Sequence, residues 1–148
     1  MEITIKIIVD ENEVKDVKVE TENEVKNQDV KLDEQIFSQY ARFFDDVCVG
    51  WTKEAEYNKA YLMNTQKYMN DKLRANGYLF LNDVYDTLGI PRTKAGQIVG
   101  WIYNEEHPIG DNFVDFGLTS ERNRNFINGF ENVALLDFNV DGNILDLI

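Results

Sequence analysis

Apolar and polar residues alternate from Glu2 to Val9, with Ile3, Ile5, Ile7 and Val9 on one side, which is the two-residue period of a half-buried strand. Asp10-Glu11-Asn12-Glu13 has turn-like residues, and Val14, Val17 and Val19 follow among charges, so the pattern predicts an N-terminal β-hairpin, residues 2–9 and 14–20. From Glu20 to Glu34 the chain is polar and without period or aromatics, which reads as an exposed acidic connector. The organisation that follows is an acidic hairpin and connector over 1–35 and a module over 36–148, both belonging to one compact unit.

The module opens with Tyr40, Phe43, Phe44, Val47, Val49 and Trp51, too many apolar side chains to leave in water. Thr52 is a suitable N-cap for a long helix over about 53–75, with Glu54 and Glu56 in its first turn, Lys72 and Arg74 in its last, and Gly77 at C′. Tyr57, Ala60, Tyr61, Tyr68 and Leu73 recur at helical spacing, so they are the expected core stripe. A shorter helix fits Phe80 to Leu88, stopped by Gly89 and Pro91. Thr93 either caps a third helix through Val99, or Ile98 to Tyr103 forms a buried strand; length does not decide. A loop over 107–112, a strand at Phe113–Phe116 and a helix from Thr119 or Ser120 to about Gly129 come next. Val133–Val140 and Asn143–Ile148 then read as the arms of a hairpin turning at Asp141-Gly142. The expected fold class is α+β: an N-terminal β-hairpin, a helical middle and a small antiparallel sheet near the C-terminus.

Composition changes this picture in two ways. The chain has 148 residues, 43% of them hydrophobic, enough for one domain that buries roughly 68–70% of its unfolded surface without staples. Its 27 acidic against 15 basic residues give a formal charge of −12, which disfavours direct contact with nucleic acid or an anionic membrane. Residues 1–35 hold 11 of the acids and 5 of the bases, so the acidity is densest there. The single cysteine, Cys48, cannot form an internal bridge, and neither a secretory leader nor a long apolar span is evident. A reducing, cytoplasmic setting is the expectation.

Candidate chemistry is sparse. Asp137-Phe138-Asn139-Val140-Asp141-Gly142-Asn143-Ile144 fits the first eight positions of a calcium loop, with Asp137, Asn139 and Asp141 as the oxygen ligands. The twelfth position, where a bidentate Glu belongs, is Ile148, so a hairpin turn is the preferred reading and no metal or other cofactor is expected. His107, beside Glu105 and Glu106, has no nucleophile or third member to work with. Gly89-Ile90-Pro91-Arg92-Thr93-Lys94-Ala95-Gly96 has its lysine on the wrong side of the second glycine for a Walker loop. No catalytic residue is expected.

Several segments form a long motif set: Leu88-Gly89-Ile90-Pro91-Arg92-Thr93-Lys94-Ala95-Gly96-Gln97-Ile98-Val99-Gly100-Trp101, Pro108-Ile109-Gly110-Asp111-Asn112-Phe113-Val114-Asp115-Phe116-Gly117 and Leu135-Leu136-Asp137-Phe138-Asn139-Val140-Asp141-Gly142-Asn143-Ile144. With Tyr40 to Phe44 and Trp51-Thr52-Lys53 upstream, they resemble an uncharacterised family of small proteins from phages and prophages of Gram-positive bacteria, over about three quarters of the chain. The resemblance implies an address more than an activity. It also implies that 36–148 is a shared platform and that residues 1–35 are an exchanged recognition element, since relatives carry a membrane-anchored or basic N-terminus there. Joined to the charge, it makes the leading expectation a non-enzymatic phage protein that inhibits a host defence nuclease or effector in the manner of an anti-CRISPR. Glu11, Glu13, Glu20, Glu22 and Glu24 would be the nucleic-acid-mimicking contacts. A structural or accessory phage protein is the alternative, and a small enzyme or calcium module the third. The partner would be a host protein in the bacterial cytoplasm, with oligomeric state open.

Overall fold

The computed structural model describes residues 38–148; the expected hairpin, its connector and the five glutamates Glu11, Glu13, Glu20, Glu22 and Glu24 lie outside the described residues. Two compact units divide the chain at Ala41/Arg42. Of the first, only Ser38 to Ala41 are described, as a turn in which Ala41 N–H donates to Ser38 O.

The second unit is mixed α and β, in the order β1 (Arg42–Phe44), α1 (Ala55–Asn76), β2 (Tyr78–Phe80), α2 (Leu81–Leu88), β3 (Val99–Ile102), α3 (Arg124–Ile127), β4 (Ala134–Leu136) and β5 (Gly142–Asn143). Single 3-10 turns occupy Ala95–Gln97, Glu121–Asn123 and Leu145–Leu147. Two antiparallel sheets result. One pairs β1 with β4, Arg42 opposite Leu136, and the other runs β2-β3-β5, with Phe80 opposite Gly100 and Gly100 opposite Gly142. At the centre of the second sheet Gly100 is required by space, because a Cβ there would lie 2.0 Å from Leu79 O. Between the sheets and α1 lies a core with Trp101, Tyr85, Phe44, Phe116 and Phe126 fully buried, and with Phe138 edge-on to both Tyr85 and Phe116.

Helix α1 ends as its sequence predicts, with Gly77 left-handed at φ 84° and its N–H donating to Leu73 O at 2.8 Å. Its start and its stripe differ from expectation. Glu54 holds the N-cap position, while Thr52 Oγ1 accepts from Glu54 N–H at 3.0 Å ahead of the helix. The buried face is Asn58, Leu62, Thr65, Met69 and Leu73; Tyr57 and Tyr68 are more than half exposed. Two polar members hide this stripe from a hydrophobic count. Thr65 Oγ1 donates to Tyr61 O four residues back, and Asn58 reaches out of the helix altogether. Tyr61 stacks instead on Phe44 and covers Gly50, on the flank of the helix.

Helix α2 follows β2 directly and ends at Gly89, φ 75°, as expected. Beyond it both readings of 93–103 are realised in part. Thr93 Oγ1 does accept Gly96 N–H, but it closes one 3-10 turn, after which β3 is buried on every residue. Ser120 likewise precedes a 3-10 turn and a four-residue helix that is shorter than expected.

The C-terminal hairpin is not formed. Only Ala134–Leu136 of the expected arm is strand, and it pairs with β1; Gly142–Asn143 pairs with β3, and 145–147 turn into a 3-10 helix. Asp141 N–H donates to Gly100 O and Ile144 N–H to Ile98 O, so the chain is drawn across β3 and cannot fold back on β4. Nor is Phe113–Phe116 a strand. It runs extended without a ladder because side chains take its amides: Val114 N–H donates to Asn70 Oδ1 at 2.7 Å, Phe116 N–H to Gln66 Oε1 at 2.8 Å and Asp115 N–H to Asn139 Oδ1 at 2.7 Å.

Candidate functional site

That substitution of side-chain amides for backbone partners recurs through the unit. Asn58 accepts from Thr52 N–H and donates to Thr52 O; Asn70 does the same with Val114, Asn82 with Thr93, Asn112 with Asn104, and Asn123 with Leu135, all at 2.7–3.1 Å. Each asparagine thereby stands in for one residue of a neighbouring strand, satisfying both polar groups of its target. Asn123 takes both groups of Leu135 and so closes the edge of β4 that faces away from β1. At Asn82 the fit is close enough that a Cβ on Gly96 would meet Oδ1 at 2.1 Å.

The segments carrying the motif set converge on a loop over 103–112 and its base. Asn104 Oδ1 accepts the N–H groups of Glu106 and His107, while the Asn104–Asn112 pair closes the loop and Asn112 takes φ 64°. Glu105, Glu106 and His107 therefore stand outward on an ordered turn. Glu105 accepts the Tyr103 hydroxyl at 2.9 Å, which raises the Tyr103 pKa above its ordinary value. The His107 imidazole makes no hydrogen bond among the described residues, so nothing orients it as a base.

At the base of the loop, Asn139 makes four hydrogen bonds. Its Oδ1 accepts Trp101 Nε1–H at 2.9 Å and Asp115 N–H; its Nδ2 donates to Phe113 O at 2.9 Å and Asp111 Oδ2 at 3.0 Å. Asp141 Oδ2 accepts Ile102 N–H at 2.8 Å, and its other oxygen presses so near Gly110 that a Cβ there would be 2.1 Å away. Burial pushes the Asp141 carboxyl above the usual carboxylate range against the Ile102 hydrogen bond, and the nearby negative Asp111 adds to the rise.

The same contacts engage the three residues of the calcium-loop alternative. The oxygens of Asp137, Asn139 and Asp141 do not converge: Asp137 lies 4.0 Å from Arg122 Nη1, Asn139 Oδ1 is filled by two N–H donors, and Asp141 is turned to β3. Among the described residues no group of three or more His, Cys, Asp or Glu is placed to hold a metal ion. Cys48 is buried and its thiol is pushed up by that burial, against the backbone hydrogen bond at Asp45 and with the negative charges of Asp45 and Asp46 adding to the rise, which disfavours a thiolate nucleophile. No helix of the described residues is long and apolar enough to cross a membrane.

The surface has one further set of relations. Six of the ten Lys and Arg side chains beyond residue 35 pair with carboxylates of the same unit: Lys59 with Glu56, Lys67 and Arg74 with Asp71, Arg92 with Asp86, Arg122 with Asp137, and Arg124 with Glu121. The Arg92 pair is bidentate and holds the Asp86 carboxyl below its ordinary range. Asp45, Asp46, Glu54, Glu105, Glu106, Asp111, Glu131 and Asp146 form no ion pair among the described residues. Sequence reasoning placed its acidic contacts in 1–35 and missed the loop; asparagines inside helices at 58, 70 and 82, where they are poor helix formers, were the available signal that side chains were needed elsewhere.

A family model described as "Family of unknown function (DUF6353)" matches residues 2–148. No curated protein and no solved structure matches the chain.

Proposed function

We propose that this chain, which belongs to that family of unknown function, is a protein-binding module whose ordered carboxylates engage a basic surface of a partner, the kind of surface that otherwise holds nucleic acid. The observation that carries this is the pairing pattern: intramolecular ion pairs neutralise most of the module's cations, and most of the carboxylates left over are exposed, with Glu105 and Glu106 on a turn that asparagines hold in place. Preorganised charge of one sign raises association rates and selects basic partners. The polar side chains that are buried, Asn58, Thr65, Asn82 and Asn123, each satisfy backbone groups, which supports a binding role over a catalytic one. Within this reading, the likeness of the motif set to phage proteins favours an inhibitor of a host defence nuclease or effector, with the acids of residues 1–35 adding to the same field.

The test is capture from bacterial lysate on the immobilised chain at 50 and at 500 mM salt, which shortens the Debye length from about 14 to about 4 Å. A nucleic-acid-binding protein retained at low salt, released at high salt and displaced by added DNA is the expected result. Prey indifferent to salt and DNA, or self-association as the chief product by mass measurement, would overturn it.

A further inference from the structure

A cleft of about 290 Å³ lies between α1 and the 113–119 segment. Its walls are Met63 and Leu118, its rim holds Phe113, with the ring partly exposed, and Gln66, Asp115 and Thr119 bring polar atoms to it. That volume falls just below the range for cofactors and drug-sized ligands, and it suits one long side chain.

Two groups here have no partner among the described residues. Asp115 uses Oδ1 to accept Gly117 N–H at 2.8 Å and forms no ion pair among the described residues, which leaves Oδ2 without a donor. Gln66 uses Oε1 to accept Phe116 N–H, while its Nε2–H groups donate to nothing among the described residues. The cleft thus presents an acceptor that carries charge, a donor pair, an aromatic rim and apolar walls. A cation with a flat head and an aliphatic stem matches each: the stem lies on Met63 and Leu118, the head pairs with the carboxylate and stacks at Phe113, and a main-chain carbonyl beside it takes the Gln66 amide.

We propose that this cleft is the socket for an arginine side chain of a protein partner. The inference rests on the protein-binding reading above and names the side chain that would anchor it; arginine is among the residues that dominate interface energetics. Lysine would satisfy the carboxylate alone, because its ammonium offers a point charge and no planar face.

The experiment is an amide NMR titration of the full chain with N-acetyl-arginine methylamide, beside its lysine and norleucine counterparts. Saturable shifts at Val114, Asp115 and the Gln66 side-chain amide with the arginine probe are expected, at least fivefold weaker with lysine. Asp115→Asn keeps an oxygen for Gly117 N–H and so keeps the turn, and it should weaken the arginine probe at least fivefold; Phe113→Leu should weaken it about threefold and decides the matter if the first variant fails to fold. Absence of saturable shifts, an equal response to lysine or norleucine, or wild-type affinity in the variants would overturn the socket. Arginine binding without a captured basic partner would leave the socket standing and remove the function proposed above, while undiminished partner capture by Asp115→Asn would do the reverse.

Discussion

Replacing Asn139 by alanine removes the one side chain that joins β3, the 113–116 segment and the acidic loop. Two donors lose their acceptor: the indole N–H of Trp101, whose side chain is fully buried, and the backbone N–H of Asp115. Each unsatisfied buried donor costs about 1–3 kcal/mol. Asp111 lies exposed and recovers water, so its lost bond contributes little. The sum is about 2–6 kcal/mol, a large fraction of the roughly 5–15 kcal/mol that holds an ordinary domain. Asn139→Asp separates the two ends of the amide. It keeps the accepting oxygen and loses the donor, leaving a carboxylate beside Asp111 and Phe113 O. The introduced carboxyl is then held above its unfolded value of about 3.9, because only its protonated form can donate. A group raised in this way stabilises fully below its unfolded pKa and loses that contribution as pH rises through its folded pKa. The aspartate variant should therefore be weakest at pH 7 and recover towards pH 4, and the alanine variant should follow the wild type at a constant deficit. Urea unfolding followed by tryptophan fluorescence at pH 4, 5 and 7 measures both. A cost below 1 kcal/mol for Asn139→Ala, or a pH-independent deficit for Asn139→Asp, would refute the reasoning.

Other expectations follow from the same geometry. Asp141→Asn keeps an acceptor for Ile102 N–H; since the wild-type carboxyl is raised, its contribution is present at low pH and lost as pH rises, so stability of the variant relative to wild type should increase between pH 4 and 7 in chemical denaturation. Gly100→Ala drives a methyl into Leu79 O and should cost at least about 3 kcal/mol or prevent folding, as read from thermal melts. Millimolar calcium should leave the melting temperature where magnesium leaves it, because Asn139 and Asp141 are already engaged. His107→Ala should stay within about 0.5 kcal/mol of wild type in the same melts, its imidazole making no hydrogen bond among the described residues.

What was legible in the sequence was local. Gly77 and Gly89 stop their helices where left-handed φ was needed, and the acids and bases of α1 sit at the ends that favour them, so the limits of α1 and α2 were recovered within two residues. What was illegible depends on partners far along the chain. The stripe Asn58, Leu62, Thr65, Met69 and Leu73 is amphipathic only once Asn58 is known to reach Thr52 O and Asn132 O, 74 residues away in the latter case. The Asp141-Gly142 pair has the composition of a hairpin turn, yet the destination of the chain after it is set by Gly100 and Ile98, which no local pattern announces. Likewise Phe113–Phe116 has strand composition, and its extended backbone is real, but amides of α1 and Asn139 take the place of a neighbouring strand.

The pairing of Arg42–Phe44 with Ala134–Leu136 bears on how the unit forms during synthesis. Phe44 waits for Ala134, 90 positions later. At about 5–20 residues per second a ribosome needs about 5–18 s to supply it, and the emerged segment spends that time with Phe44 and its neighbours uncovered. Closing so long a loop has an entropic cost that grows only slowly with length, yet it places the pairing late. A nascent chain halted before Leu136 clears the exit tunnel should therefore lack this sheet, although α1 can already turn within it. Chaperone binding to such arrested chains, falling once Ala134–Leu136 has emerged from the tunnel, would reveal the delay.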